Sequence, residues 1–134
     1  MQPLGRLPHT LIMTRPQNIL IVEDEALIAL EIEMGLEAEG YEIVGPVACV
    51  EKGLQLIEQI PIDAAILDID LGGGQNSLPL AHSLLDRGVP ILFHTGRVAF
   101  ENLSERFAGT VVVSKPTILP QLVTQLQRLV PSSS

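Results

Sequence analysis

The chain has 134 residues, the size of one ordinary domain with a real core, and its 46% hydrophobic content and mean hydropathy of +0.35 exclude a disordered chain. Sixteen acidic against eight basic side chains leave a net charge of -8, which repels a phosphate backbone and provides no basic stripe, so nucleic acid is excluded as a direct partner. Cys49 is the single cysteine, which rules out an intrachain disulfide or a multi-cysteine zinc site and suits a reducing compartment; its expected role is a small buried apolar side chain.

Residues 1–18 read as a loose tail, because Pro3, Pro8 and Pro16 interrupt any helix and no basic region is followed by an unbroken apolar run. Met13 offers an alternative start, which would make residues 1–12 an artefact of start-codon choice. No apolar run in the sequence is long enough to span a bilayer.

From Ile19 onward strand-length apolar runs alternate with helix-period segments. The first run is 19–22 (ILIV), followed by a helix whose periodicity puts Leu27, Leu30, Met34 and Ala38 on one face with Ile28, Ile32 and Leu36 beside it. Glu31, Glu33, Glu37 and Glu39 face water, and Gly40 is placed to end the helix. A second strand is expected over 41–47 and a second helix over 50–60. The third strand, 64–68, precedes a helix over 78–88 with Ser77 as cap, Pro79 in its first turn and Gly88 at its end. The fourth strand spans 90–95 and a short helix 98–109; the fifth spans 110–114 and the closing helix 117–130, with Ile118, Leu122, Leu126 and Leu129 turned to the sheet and Pro120 in its first turn. Nearly continuous apolar strands are buried on both faces, so the order implies an α/β fold with a five-stranded parallel, doubly wound sheet.

Ligands bind such sheets outside the carboxyl ends of the strands. That rim receives Glu23 and Asp24 from the first strand, Asp68 and Asp70 from the third, Thr95 and Gly96 from the fourth, and Lys115 from the fifth. Carboxylates gathered there repel one another unless a cation intervenes, and a hard divalent ion with few protein ligands fits Mg²⁺ better than Ca²⁺. Glu23, Asp24 and Asp68 then form a metal cup, while Lys115, the Thr95 hydroxyl and the backbone N–H of Gly96 suit a phosphoryl group.

With these residues in hand, the stretch from Ile19 to Val130 resembles the receiver domain of two-component response regulators: ILIVEDE supplies the acidic pair, AAILDIDL the phosphoacceptor, LFHTG the Thr and small residue, and VVVSKP the Lys and Pro. The resemblance implies the flavodoxin-like strand order 2-1-3-4-5. It also implies a cytoplasmic phosphorelay protein that takes a phosphoryl group on Asp68 from the phosphohistidine of a sensor histidine kinase or a histidine phosphotransferase. By it Asp24 binds Mg²⁺ directly, Glu23 largely through water and Asp70 through its backbone carbonyl; Lys115, Thr95 and Gly96 hold phosphoryl oxygens. Such a chain is a phosphoacceptor with self-catalysed transfer and autodephosphorylation, not an enzyme acting on other substrates.

The pattern also departs from the family. Position 112 is Val where receivers commonly carry an aromatic switch residue, and neither Phe93 nor Phe107 is assigned that role. Where many members carry a Pro and then Asp-Gly near the next helix, this chain has LGGGQNSLPLA, and Gly72, Gly73 and Gly74 lead to an expectation of greater mobility. FHTGR after PIL resembles the Phe-Ala-Thr-Gly subclass of stand-alone receivers, whose partners include kinases of the HWE type. The expected organisation is a tail over 1–18, the receiver over 19–130 and a short tail over 131–134 without an output domain, so that signalling proceeds by protein contact with a downstream partner, by phosphotransfer, or through a homodimer, with no membrane contact. Phosphorylation is expected to shift the fourth helix, fifth strand and fifth helix without an aromatic swing.

Duller readings accompany each residue. Glu23 and Asp24 could cap the first helix, Lys115 could be a turn lysine, and Thr95 a loop hydroxyl. His94 beside the rim is expected to be packed or partly solvated, His9 and His82 to lie at the surface, and the side chains of Asp70 and Arg97 to be solvated. Two other functions compete. A haloacid-dehalogenase-like phosphatase uses Asp-x-Asp after an apolar strand, although after its first strand and without the Glu23–Asp24 pair, and a pseudo-receiver would bind partners without taking phosphate.

Overall fold

A computed structural model describes residues 15–96 and 103–131 of the chain. Five strands alternate with helices: β1 (Asn18–Val22), α1 (Ala26–Ala38), β2 (Glu42–Val47), α2 (Val50–Gln59), β3 (Ala64–Leu67), α3 (Leu78–Asp86), β4 (Ile91–Thr95), α4 (Leu103–Arg106), β5 (Val111–Ser114) and α5 (Leu119–Leu129). The strands form one parallel sheet in the order β2-β1-β3-β4-β5, so the five strands expected from the apolar runs and the order implied by the resemblance are both present. The order reverses between β1 and β3, which opens the crevice where ligands of such sheets sit.

Both faces of the sheet are covered. Alternate residues of the central strands point to opposite sides: Leu20, Val22, Ala65, Leu67 and Phe93 pack with Ile57 of α2, Leu80 and Leu84 of α3, and Leu103 and Phe107. Ile19, Ile21, Ala64, Ile66 and Leu92 pack with Ile32 and Leu36 of α1 and Leu122 and Leu126 of α5. The Tyr41 hydroxyl donates to the Val130 carbonyl at 2.6 Å and fastens the end of α5 to the start of β2.

β1 begins one residue earlier than the apolar run. The Asn18 N–H donates to Asp63 at 2.7 Å and Arg15 pairs with the same carboxylate at 3.2 Å, so residues 15–18 are tied down rather than part of a loose tail. In β2 the pairing with β1 slips between Leu20 and Val22. Gly45 lies there at φ +94, and a side chain would press on the Val47 nitrogen at 2.9 Å, which is why this bulge takes glycine.

Two expectations about helix faces and one about a helix cap are corrected. On α1 the buried residues are Ala29, Ile32 and Leu36, whereas Leu27 is 82% exposed, Met34 61% and Leu30 49%; a thirteen-residue helix buries only the side that meets the sheet, and apolar spacing alone cannot say which of two adjacent stripes that is. Ile118 precedes α5 and is 62% exposed, while Leu122 and Leu126 are buried as expected and Leu129 packs partly against them. The N–H of Leu78 is accepted by the Asn76 side chain rather than by Ser77, whose hydroxyl is buried with no partner among the described residues. Of the short helix expected over 98–109, residues 98–102 lie outside the described residues and Leu103–Arg106 is helical. Cys49 is half-buried just before α2 rather than fully buried.

Candidate functional site

The rim is assembled by continuing the sheet past the ends of its strands. The Asp68 N–H donates to the Val22 carbonyl at 2.9 Å, the Glu23 N–H to Val47 at 3.0 Å, and the Lys115 N–H to Thr95 at 3.0 Å. Asp68, Glu23 and Lys115 are thus each held by a main-chain bond to the neighbouring strand, which leaves little freedom in where their side chains emerge. Glu23, Asp68 and Thr95 are buried, Asp24 and Glu25 are exposed, and the Lys115 side chain is 15% exposed.

Lys115 is the hub. Its Nζ donates to Asp68 Oδ2 at 2.8 Å and to Glu25 Oε1 at 3.1 Å, and it lies 2.9 Å from Glu23 Oε1. Burial by itself would lower the lysine pKa; hydrogen bonding to Asp68, Glu23 and Glu25 outweighs it and holds the ammonium well above the ordinary lysine value. Burial pushes the Glu23 carboxyl above its ordinary value against the pull of Lys115 and of the Glu25 N–H, which Glu23 Oε2 accepts at 3.0 Å; repulsion from Asp68 is the smallest contribution. Desolvation therefore perturbs Glu23 more than crowding of carboxylates does.

One carboxylate oxygen from each of Glu23, Asp24, Glu25 and Asp68 lies within 4.8 Å of the others. Four carboxylates facing one ammonium are undercompensated, and the donor set is all oxygen, so the residues present fit a hard divalent cation. A hollow of about 290 Å³ opens above them, lined by Asp24, Glu25, Asp68, Asp70, Gly72, Thr95, Gly96 and Lys115, room for a small anion beside a hydrated ion.

The expected site residues Glu23, Asp24, Asp68, Asp70, Thr95, Gly96 and Lys115 therefore meet at one place. The Asp70 N–H donates to Asp68 Oδ1 at 3.2 Å and orients it, while Asp70 Oδ1 accepts the Gly72 N–H at 3.1 Å and is thereby drawn into the loop. The loop is more defined than its composition suggests: Gly72, Gly73 and Gly74 all take positive φ, the Leu71 and Gln75 amides close a turn across them, and a side chain at 72 would approach Asp24 Oδ2 to 3.2 Å. Gly96 has no such constraint, since a β-carbon there would meet Lys115 at an ordinary 3.7 Å.

Glu25 joins the site although it was not among the residues expected there. It occupies the N-cap position of α1 but makes no side-chain cap, and reaches Lys115 instead. Its signal was the third acid in the run VEDE, masked by its place at a helix start. His94 is buried, with neither ring nitrogen partnered among the described residues, and burial, then Lys115, pushes its pKa down to about 4. His82 is exposed as expected, its ring 4.9 Å from Phe107. Val112 pairs in register with Phe93 and packs partly into the core. His9 and Arg97 lie outside the described residues.

The response regulator receiver domain family matches residues 19–127. A probable transcriptional regulatory protein of Picosynechococcus is 33% identical over 96% of this chain and 56% of its own length, and the transcriptional regulatory protein PdtaR of Mycobacterium tuberculosis is 39% identical over 42% of this chain and 27% of its own. The chain thus spans between about a quarter and a little over half of these curated relatives. The solution structure of SdrG from Sphingomonas melonis superposes with a TM-score of 0.72 at 39% identity, covering 85% of this chain and 96% of that one. TrrA from Thermotoga maritima, solved with Mg²⁺ and beryllofluoride, superposes at 0.73 with 26% identity, over 85% and 99%.

A doubly wound sheet with an acidic cluster under one lysine is the arrangement of a phosphoacceptor signalling module of two-component systems. The chain belongs to the response regulator receiver domain family.

Proposed function

We propose that this receiver takes a phosphoryl group on Asp68 from the phosphohistidine of a sensor histidine kinase or a histidine phosphotransferase. The observation that carries the reading is the 2.8 Å contact between Lys115 Nζ and Asp68 Oδ2 inside a cluster of carboxylates. Asp68 Oδ1 is held by the Asp70 N–H, leaving Oδ2 as the nucleophile once Lys115 turns toward the incoming phosphoryl oxygens. The P–N bond to the donor histidine breaks as the P–O bond to Asp68 forms, and the histidine keeps the electron pair. Asp24 would hold Mg²⁺ directly, Glu23 largely through water and Asp70 through its backbone carbonyl. When bound, the cation would supply positive charge to offset that of the transferring group. Lys115, the Thr95 hydroxyl and the Gly96 N–H receive the phosphoryl oxygens.

The exposed stripe of Leu27, Leu30 and Met34 on α1 begins beside this rim among acidic residues, and supports a docking face for the donor protein. Likeness to SdrG, together with FHTG, supports the Phe-Ala-Thr-Gly subclass and a donor of the HWE type. With Val at 112, the response to phosphorylation runs through Thr95 into α4, β5 and α5 without an aromatic swing. Downstream, the phosphorylated chain acts in the cytoplasm by contact with a protein partner, a second copy of itself included, or by passing the group on. A phosphatase reading is disfavoured because Asp68 and Asp70 follow the third strand rather than the first.

Incubation with acetyl phosphate, with and without Mg²⁺, on wild type and Asp68→Asn, followed by intact mass, tests the reading. A single Mg²⁺-dependent phosphoryl adduct, absent from Asp68→Asn, is expected. An unlabelled wild type would leave a pseudo-receiver, and sustained release of phosphate from phosphomonoesters would indicate a phosphatase.

A further inference from the structure

Lys115 has three ammonium protons, and Asp68, Glu23 and Glu25 each place an oxygen within 3.1 Å of the nitrogen. Asp68 and Glu25 accept hydrogen bonds from it, while Glu23 Oε1 stands 2.9 Å away as an ion-pair partner that accepts none, so a phosphoryl oxygen can reach the ammonium only where a carboxylate withdraws. One carboxylate must give way, and the three differ in how firmly they are held. Asp68 is fixed by the Asp70 N–H and is buried; Glu23 is buried with its other oxygen on the Glu25 N–H. The Glu25 side chain is 60% exposed, and its only described anchor at the carboxylate is Lys115. An exposed ion pair is readily exchanged, whereas a buried one is not. Glu25 also stands at an N-cap position whose usual service, accepting a helix N–H, its side chain does not perform.

We infer that Glu25 is a positioning residue for Lys115: it holds one ammonium donor at the mouth of the site and surrenders it when an anion enters. Until then its charge repels that anion, so Glu25 raises the concentration of phosphodonor the receiver needs. The second half of this inference rests on the phosphoacceptor reading; the first half, the hold on Lys115, does not.

Lys52 and Lys115 are the chain's two lysines, and Lys52 is exposed, which provides an internal standard. Brief acetylation of wild type, Glu25→Gln and Glu25→Ser in Mg²⁺-free buffer, followed by peptide mass spectrometry, reads the ratio of Lys115 to Lys52 modification. Both variants should raise that ratio about threefold, the size expected from losing an exposed ion pair. Serine is a better helix cap than glutamate, so a purely structural role at the start of α1 would leave Glu25→Ser unchanged. A ratio at the wild-type value in either variant overturns the assignment. Beryllofluoride titration with Mg²⁺ then tests the second half: half-saturation should fall about threefold in Glu25→Gln, and an unchanged value overturns it. If wild type neither binds beryllofluoride nor is labelled on Asp68, the phosphoacceptor reading fails, and the lysine ratio still decides whether Glu25 holds Lys115.

Discussion

β3 carries an aspartate just outside each end, and the two have opposite lives. At the amino end Asp63 accepts the Asn18 N–H at 2.7 Å and pairs with Arg15 at 3.2 Å, donors that it shares with no other carboxylate among the described residues. Past the carboxyl end, Asp68 shares one ammonium with Glu23 and Glu25 and lies in a cluster of four carboxylates. Both aspartates stitch neighbouring strands together, yet only the second leaves negative charge unbalanced. That surplus is what turns a structural ion pair into a site for a cation and an anion together.

The contrast breaks most sharply with Asp68→Asn, which should abolish phosphoryl labelling altogether by intact mass, while Asp63→Asn keeps it. Next, Lys115→Ala should lower stability in Mg²⁺-free urea titrations by on the order of 3 kcal/mol, because it strands the buried Glu23 among like charges. Mg²⁺ should then restore more stability to that variant than to wild type, since a cation binding the folded state replaces the missing ammonium.

His94 sharpens the comparison through pH. Its folded pKa is depressed from 6.5 to about 4, so below 6.5 the unfolded chain takes up a proton that the folded chain refuses. The neutral-pH stability associated with His94 is therefore fully present above about 6.5, lost as pH falls, and gone by about 4. The loss over that window is roughly 3 kcal/mol, and His94→Leu should remove that part of the acid limb in melts recorded from pH 7 to 4. Asp63→Asn should cost about 1 kcal/mol at neutral pH, the worth of a satisfied hydrogen bond at a part-exposed site. The smallest change belongs to Leu30→Gln on the open side of α1. Its stability should stay within about 0.5 kcal/mol of wild type, and labelling by acetyl phosphate should persist while transfer from a cognate donor protein falls.

Strand positions were legible from the apolar runs to within a residue, because a strand buried on both faces must be apolar nearly throughout and little else in a short run is. Glu23, Asp24, Asp68, Asp70, Thr95 and Lys115 were legible because polar residues at the carboxyl ends of such strands have only one rim to occupy. Periodicity on α1 failed to separate Ile32 and Leu36 from Leu30 and Met34, since both stripes are apolar and only contact with the sheet selects between them. Glu25 escaped for a related reason: its place in the sequence suits a cap, and its partner lies 90 residues away. The sequence by itself thus determined the order of elements and, Glu25 apart, the identity of the charged groups at the rim, both of which follow from local pattern. Tertiary structure alone decided which helix stripe is covered and how three carboxylates divide a single ammonium, because those outcomes depend on distances between segments remote along the chain.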